Sequence, residues 1–196
     1  MIKRKNEWRA LVKSMFALID PDSRRELDAG LNHRLSDLLT RSMEGTLLGF
    51  SALPDEPNIG VTLRAWLSGG GMLALPAWRG GEKMALRLVR NLDHDLRPGR
   101  AGILEPREDL PECAPDAVKT AIVPGRAFSE TGMRLGRGAG CYDALLTGCG
   151  MRKIGVAYDF QVFPALPGGE SDRLMDLIAT PGRLVAFGEP DRKRHG

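Results

Sequence analysis

The sequence predicts an α/β fold: a single domain with a mainly parallel sheet flanked by helices. Three observations predict it. Short apolar runs of strand length alternate with segments of helical periodicity, the pattern of a parallel sheet covered on both faces. Glycine and proline punctuate the boundaries between these segments. The 196 residues hold no internal repeat, no low-complexity linker and no second domain, and a chain of this length buries roughly 70% of the surface it exposes when unfolded. The expected unit is 1–196, with basic tails of a few residues at each end.

The elements follow in order. Residues 4–19 read as a helix, because Trp8, Leu11, Val12, Met15 and Ile19 recur at helical spacing. Pro21 ends it, and Asp22 or Ser23 is expected to cap a second helix whose apolar face is Leu27, Leu31, Leu35, Leu38 and Leu39. A buried strand is expected over 46–53. A helix over 59–67 is stopped by Gly69, Gly70 and Gly71, and a short strand over 72–75 ends at Pro76. Arg79, Gly80 and Gly81 form a turn before a strand over 83–89. Residues 91–118, rich in Pro and Asp, read as irregular apart from the apolar piece Gly102–Leu104. Strands follow over 120–123, 153–158 and 184–187, with a short helix over 141–147 and a segment of unassigned type over 174–179.

Bulk properties narrow the function. The net charge of +3 arises from 28 basic and 25 acidic residues spread along the chain, which does not suit a nucleic-acid partner. No apolar run approaches the length of a membrane span, and the run from Met15 to Ile19 is too short for a signal-peptide core. Cys113, Cys141 and Cys149 fit no metal-ligand spacing, and the reading is a reducing cytoplasm. His33, His94 and His195 stand far apart and offer neither a zinc site nor a catalytic triad.

The segment from Ile122 to Asp143 is the most informative. It places five glycines, three arginines and a terminal aspartate behind an apolar run and ahead of a helix. Glycines let successive backbone N–H groups turn toward one point. Arginine forks match phosphate oxygens, and an aspartate suits the magnesium that travels with a nucleotide. The segment matches neither the P-loop pattern nor the dinucleotide fingerprint. A plain surface loop is the competing reading, as are an ion pair beneath the loop for Arg134 and a solvated basic helix face for Lys5 and Arg9.

The stretch Gly132 to Asp143, preceded by Val123, Pro124, Gly125 and Phe128, resembles the signature of the 5-formyltetrahydrofolate cyclo-ligase family. Lys5 and Arg9, Glu56, Pro76, Gly102 to Pro106, Gly155 to Gln161, Leu166, Pro167 and Asp172 extend the likeness in the right order. The resemblance implies the NagB/RpiA/CoA-transferase-like architecture and ATP- and Mg2+-dependent closure of 5-formyltetrahydrofolate to 5,10-methenyltetrahydrofolate. Transferred residue by residue, it implies that Lys5, Arg9, Arg134, Leu135, Gly136, Arg137, Gly138, Ala139, Gly140, Cys141 and Tyr142 bind ATP. It makes Glu56, Ser51 and Tyr142 folate contacts, Arg137 and Tyr142 catalytic, and Asp143 and Asp172 magnesium ligands. A reduced folate is the expected partner of a cytoplasmic monomer. The chain departs from the family pattern at Cys141, which replaces the first of two tyrosines, and at Ser129, Ala139 and Ser171. Two alternatives stay open: an ATP site serving another acceptor, and a non-catalytic folate or nucleotide binder.

Overall fold

The structure is a computed structural model that describes residues 2–40, 45–81, 83–99, 102–167 and 174–187. Its elements are α1 (Ile2–Ala17), α2 (Pro21–Thr40), β1 (Thr46–Leu48), α3 (Gly60–Ser68), β2 (Met72–Gly80), β3 (Lys83–Val89), β4 (Leu96–Pro98), β5 (Leu104–Pro106), β6 (Val118–Pro124), β7 (Ala127–Ser129), β8 (Arg134–Leu135), α4 (Cys141–Leu145), β9 (Arg152–Val156), β10 (Val162–Phe163), β11 (Leu177–Ala179) and β12 (Leu184–Ala186). A seven-stranded sheet runs β12-β11-β9-β6-β1-β2-β3, with smaller sheets β10-β7-β8 and β4-β5. The strands from β11 to β2 are parallel to their neighbours, and both edges, β3 and β12, are antiparallel.

Alternation along the strands sends side chains to opposite faces. Leu47, Leu73, Leu75, Ile122, Ile154 and Val156 pack with Leu31, Leu35 and Leu39 of α2 and Leu63 and Trp66 of α3. Leu48, Ala74, Ala121, Val123 and Ile178 face the other way, where Phe128 of β7, Leu146 after α4 and Cys113 cover them. Both faces are covered, as expected, though unequally. One face carries α2 and α3, while α4, the small sheet and the 111–113 segment close the other. Each fully buried leucine contributes about 1.5–3 kcal/mol. A third cluster docks α1 through Val12 and Phe16 against Ala127, Leu135 and Tyr158. Leu11 of the expected apolar stripe is exposed, and Phe16 takes its place inside.

Several boundaries differ from expectation for local reasons. Asp20, rather than Asp22 or Ser23, caps α2: its Oδ1 accepts from the N–H groups of Asp22 and Ser23, both at 3.0 Å. The strand expected over 46–53 leaves the sheet after Leu48. Beyond it the chain is held by side-chain bonds from α2, described below. Strand β2 runs through Pro76, which pairs with Leu86. Pro76 has the parity of Ala74, whose carbonyl accepts from Gly49 on the β1 side. Its missing N–H therefore points past the end of β1, where no ladder bond is lost. Residues 91–118 are also more ordered than expected. They form the β4-β5 hairpin, and Leu88 N–H donates to Pro111 while Cys113 N–H donates to Leu86, both across the outer edge of β3. That covers an edge otherwise open to pairing. The segment 174–179 ends as β11, and the short helix stops at Leu145 rather than Thr147.

Candidate functional site

The order of strands reverses between β1 and β6: from β1 the chain builds outward to β2 and β3, and from β6 the other way to β9, β11 and β12. The crevice beyond the carboxyl ends of strands at such a switch point is the usual ligand site of an open α/β sheet. A cavity of about 330 Å3 lies there. Phe50, Ser51, Leu53 and Glu56 line it from the loop after β1, Pro76 and Trp78 from β2, Pro124 and Gly125 from the end of β6, and Arg134 and Gly136 to Asp143 from the glycine loop and α4.

The loop carrying Glu56 is fixed by α2. The Arg24 guanidinium donates to the carbonyls of Pro54 and Glu56, the latter at 2.9 Å. Asn32, 4% exposed, donates to the carbonyls of Asp28 and Asn58, both at 2.7 Å, and accepts from the Thr62 N–H and hydroxyl at 2.9 and 2.8 Å. All capacity of its amide is used. It thereby ties α2, α3 and the loop together. Asp28 adds a bond from Asn58 N–H at 2.8 Å and one from the Tyr158 hydroxyl at 2.6 Å. Glu56 itself is buried. Its Oε2 accepts from Leu53 N–H at 3.1 Å and its Oε1 from Arg137 Nε at 2.8 Å.

The glycine loop rests on Arg134. This arginine is 7% exposed; it donates to Asp143 Oδ1 at 2.7 Å and to the Pro124 carbonyl at 3.1 Å, and its guanidinium lies 5.6 Å from the Tyr142 ring centre. Gly136 crosses directly over it, so a Cβ there would come within 2.9 Å of Nη1. Gly138 holds φ at +106°, a conformation side chains rarely adopt. From α1, Arg9 Nε donates to the Gly136 carbonyl at 2.9 Å, and Lys5 lies one turn earlier on the same helix. The turn after β6 is pinned by buried Gln161, whose amide donates to the carbonyls of Gly125 and Arg126 at 3.2 and 3.0 Å. Ser129 accepts from Met133 N–H at 3.1 Å and closes the turn before β8.

Each arginine of the loop region has a carboxylate partner. Arg134 faces Asp143. Arg126, 8% exposed, stands 2.5 Å from Asp55 Oδ2, and Arg137 bonds both Asp55 Oδ1 and Glu56. Burial pushes the Asp55 carboxyl up, but bonds from Arg137 and Arg126 outweigh it and hold the group below the ordinary carboxylate range. Desolvation, then the charge of Glu56, pushes the Tyr142 phenol well above its ordinary range, so it stays a protonated donor. Cys141 lines the rim, with Sγ 3.9 Å from the Gly81 carbonyl.

The structure thus gathers Ser51, Glu56, Arg134 and residues 136–143 around one cavity and brings Arg9 onto the loop, whereas Leu135, expected at the nucleotide, is turned into the core with Val12, Phe16 and Tyr158. Asp172 and Ser171 lie outside the described residues. Sequence reasoning missed Asp55 and Arg126 as site residues, although both sit beside residues it singled out. It also missed Trp78, Met84, Ile103 and Leu104, which give the cavity an apolar wall, and Glu105 beside them. Only the hairpin geometry brings these five together. Among the described residues no cluster of three or more His, Cys, Asp or Glu is arranged to hold a metal. No helix among them is long and apolar enough to cross a membrane.

The model of the 5-formyltetrahydrofolate cyclo-ligase family matches residues 1–181. The chain belongs to that family. Among similar proteins, the 5-formyltetrahydrofolate cyclo-ligase of Escherichia coli K12 is 31% identical over 123 residues, covering 55% of this chain and 68% of that protein. The probable 5-formyltetrahydrofolate cyclo-ligase of Schizosaccharomyces pombe is 27% identical over 126 residues, covering 57% and 62%. The structure of Aquifex aeolicus 5,10-methenyltetrahydrofolate synthetase superimposes with a TM-score of 0.83 at 28% identity, over 97% of this chain and 99% of that one. The Mycoplasma pneumoniae 5,10-methenyltetrahydrofolate synthetase, 19% identical, shares the fold with a TM-score of 0.75, over 90% and 98%.

Proposed function

We propose that this member of the cyclo-ligase family converts 5-formyltetrahydrofolate and ATP to 5,10-methenyltetrahydrofolate, ADP and phosphate, as a cytoplasmic monomer folded as one unit. The carrying observation is a buried carboxylate, Glu56, facing a glycine- and arginine-rich loop across a single cavity at the switch point of the sheet. The γ-phosphoryl group passes to the formyl oxygen, which makes that oxygen a leaving group. N10 then attacks the formyl carbon, and phosphate departs with the former formyl oxygen as the ring closes. The protein's task is to align two anionic reactants and to neutralise charge on the phosphoryl group in flight.

In this reading Glu56 accepts hydrogen bonds from the pterin ring, with Ser51 and the Tyr142 phenol beside it. The wall of Trp78, Met84 and Leu104 takes the apolar part of the folate. Backbone N–H groups from Gly136 to Tyr142 receive the triphosphate, with Lys5 and Arg9 arriving from α1 and Arg137 meeting the transferred group. Arg134, committed to Asp143 and Pro124 beneath the loop, supports its shape. Magnesium takes one or two carboxylates and otherwise phosphate and water. Half-exposed Asp143, on the cavity wall with one oxygen bonded to Arg134, fits one such ligand, and Asp172 is the second proposed. Bound there, the ion would neutralise phosphate charge. The test is purified protein mixed with ATP, magnesium and 5-formyltetrahydrofolate. ATP-dependent appearance of methenyltetrahydrofolate absorbance supports the reading, and its absence refutes it.

A further inference from the structure

Glu56 has two tasks that compete for the same atoms. Its Oε2 is used by Leu53 N–H and its Oε1 by Arg137 Nε at 2.8 Å. A pterin presenting adjacent N–H donors needs Oε1, so it must displace Arg137. Asp55 is placed to receive what Glu56 releases. It bonds Arg137 through Oδ1 while its Oδ2 is held by buried Arg126 at 2.5 Å. Arg126 is in turn fixed by the Gln161 amide on its carbonyl.

Building on the folate reading above, we propose that Arg137 is stowed on the folate carboxylate in the empty enzyme and released by folate, and that Asp55, pinned by Arg126, is the positioning pair that keeps the guanidinium at the site during the exchange. Three consequences follow from the charges. Once neutral pterin donors replace the guanidinium on Glu56, the positive charge of Arg137 is no longer offset there and is available to the triphosphate. Folate and nucleotide therefore favour one another, each raising the other's affinity by the same factor. Removing Arg137 removes a competitor, so folate binds more tightly to that variant when no nucleotide is present. Removing the Asp55 charge leaves Arg137 without its second anchor when Glu56 lets go, which lowers turnover more than folate binding.

The test is calorimetry with a non-hydrolysable ATP analogue and magnesium, with and without 5-formyltetrahydrofolate, alongside steady-state rates. In the wild type, folate raises analogue affinity about tenfold, within the usual range of such couplings. Arg137→Ala abolishes the coupling and tightens folate binding in the absence of nucleotide. Asp55→Asn, whose fold is checked by its melting curve, brings the coupling close to unity and lowers kcat about tenfold with little change in the folate KM. Arg126→Ala behaves likewise and Arg126→Lys restores part of kcat. Because Arg126 is buried, Asp55→Asn decides the matter if Arg126→Ala fails to fold. Independent binding of the two ligands in the wild type overturns the proposal. So does weaker folate binding by Arg137→Ala, or full coupling and kcat in Asp55→Asn. A wild type that binds neither ligand instead overturns the folate reading beneath it.

Discussion

Replacing Arg134 by Met removes the charge while keeping most of the side-chain volume, and the structure sets what this should cost. Two bonds disappear. The one to the Pro124 carbonyl, at 3.1 Å inside the protein, leaves an acceptor without that partner, a loss of about 1–3 kcal/mol. The ion pair to Asp143 at 2.7 Å is one-sided in exposure: the arginine side chain is 4% accessible and the aspartate 42%. Water therefore recovers much of the carboxylate's solvation, and this part contributes about 0.5–1 kcal/mol. The sum is about 1.5–4 kcal/mol, which for a chain of this size lowers the melting temperature by about 3–16 °C. The loop over Gly136 loses its floor at the same time, so nucleotide binding weakens beyond what the stability loss explains. Thermal and urea unfolding measure the first effect, and calorimetry with an ATP analogue below the transition measures the second. A melting temperature within 2 °C of wild type, together with unchanged nucleotide affinity, would refute the assignment of Arg134 as the support of the loop. Asp143→Asn, which leaves the buried guanidinium without its counter-charge, should destabilise by about 1.5–3 kcal/mol.

Three further outcomes are expected. Asn32→Ala leaves buried Thr62 and the Asn58 carbonyl without their partner and should destabilise by about 1–3 kcal/mol, while raising the folate KM because the loop carrying Glu56 loses its tie to α2; equal urea midpoints for variant and wild type would contradict this. Gly138→Ala places a side chain at φ +106° and 3.4 Å from the Arg9 guanidinium; the strain of about 1–2 kcal/mol should raise the ATP KM and lower the melting temperature by about 2–8 °C. Asp55 is held below its unfolded value of about 3.9. A depressed carboxylate stabilises above the unfolded value and loses that contribution as pH falls through the folded one. Urea midpoints should therefore be level for this group above about pH 4 and fall below it, with a shallower fall in Asp55→Asn; identical acid profiles would refute the pairing.

What the sequence made legible was whatever rests on short-range periodicity. The leucines of α2 and the alternation through Ala121, Ile122 and Val123 announce their faces because burial is decided by a repeat of 3.6 or 2 residues. The β4-β5 hairpin and the 111–113 edge were not legible, since Leu88 to Pro111 and Trp78 to Glu105 are pairings whose meaning appears only once β3 is in place. The candidate site divides in the same way. Its members could be picked from the chain, but their charges were read singly. The resemblance assigns Arg134 and Arg137 to ATP, whereas Asp143 already meets the first, and Asp55 and Glu56, about 80 residues upstream of Arg137, the second. No local pattern encodes a pairing at that separation. The cap of α2 lies at Asp20 because Pro21 takes the first helical position, where its missing N–H costs nothing.

The docking of α1 has an outcome for how the enzyme comes into being. Arg9 reaches a carbonyl 127 residues away, and the apolar cradle beneath it is completed by Tyr158 and Leu166. A nascent chain on the ribosome therefore carries its first helix through most of synthesis with nowhere to lodge. The contact of α1 with the glycine loop is therefore made late. A bulky fusion ahead of α1 should delay maturation of activity well beyond acquisition of the sheet, so that far-ultraviolet signal recovers before turnover does.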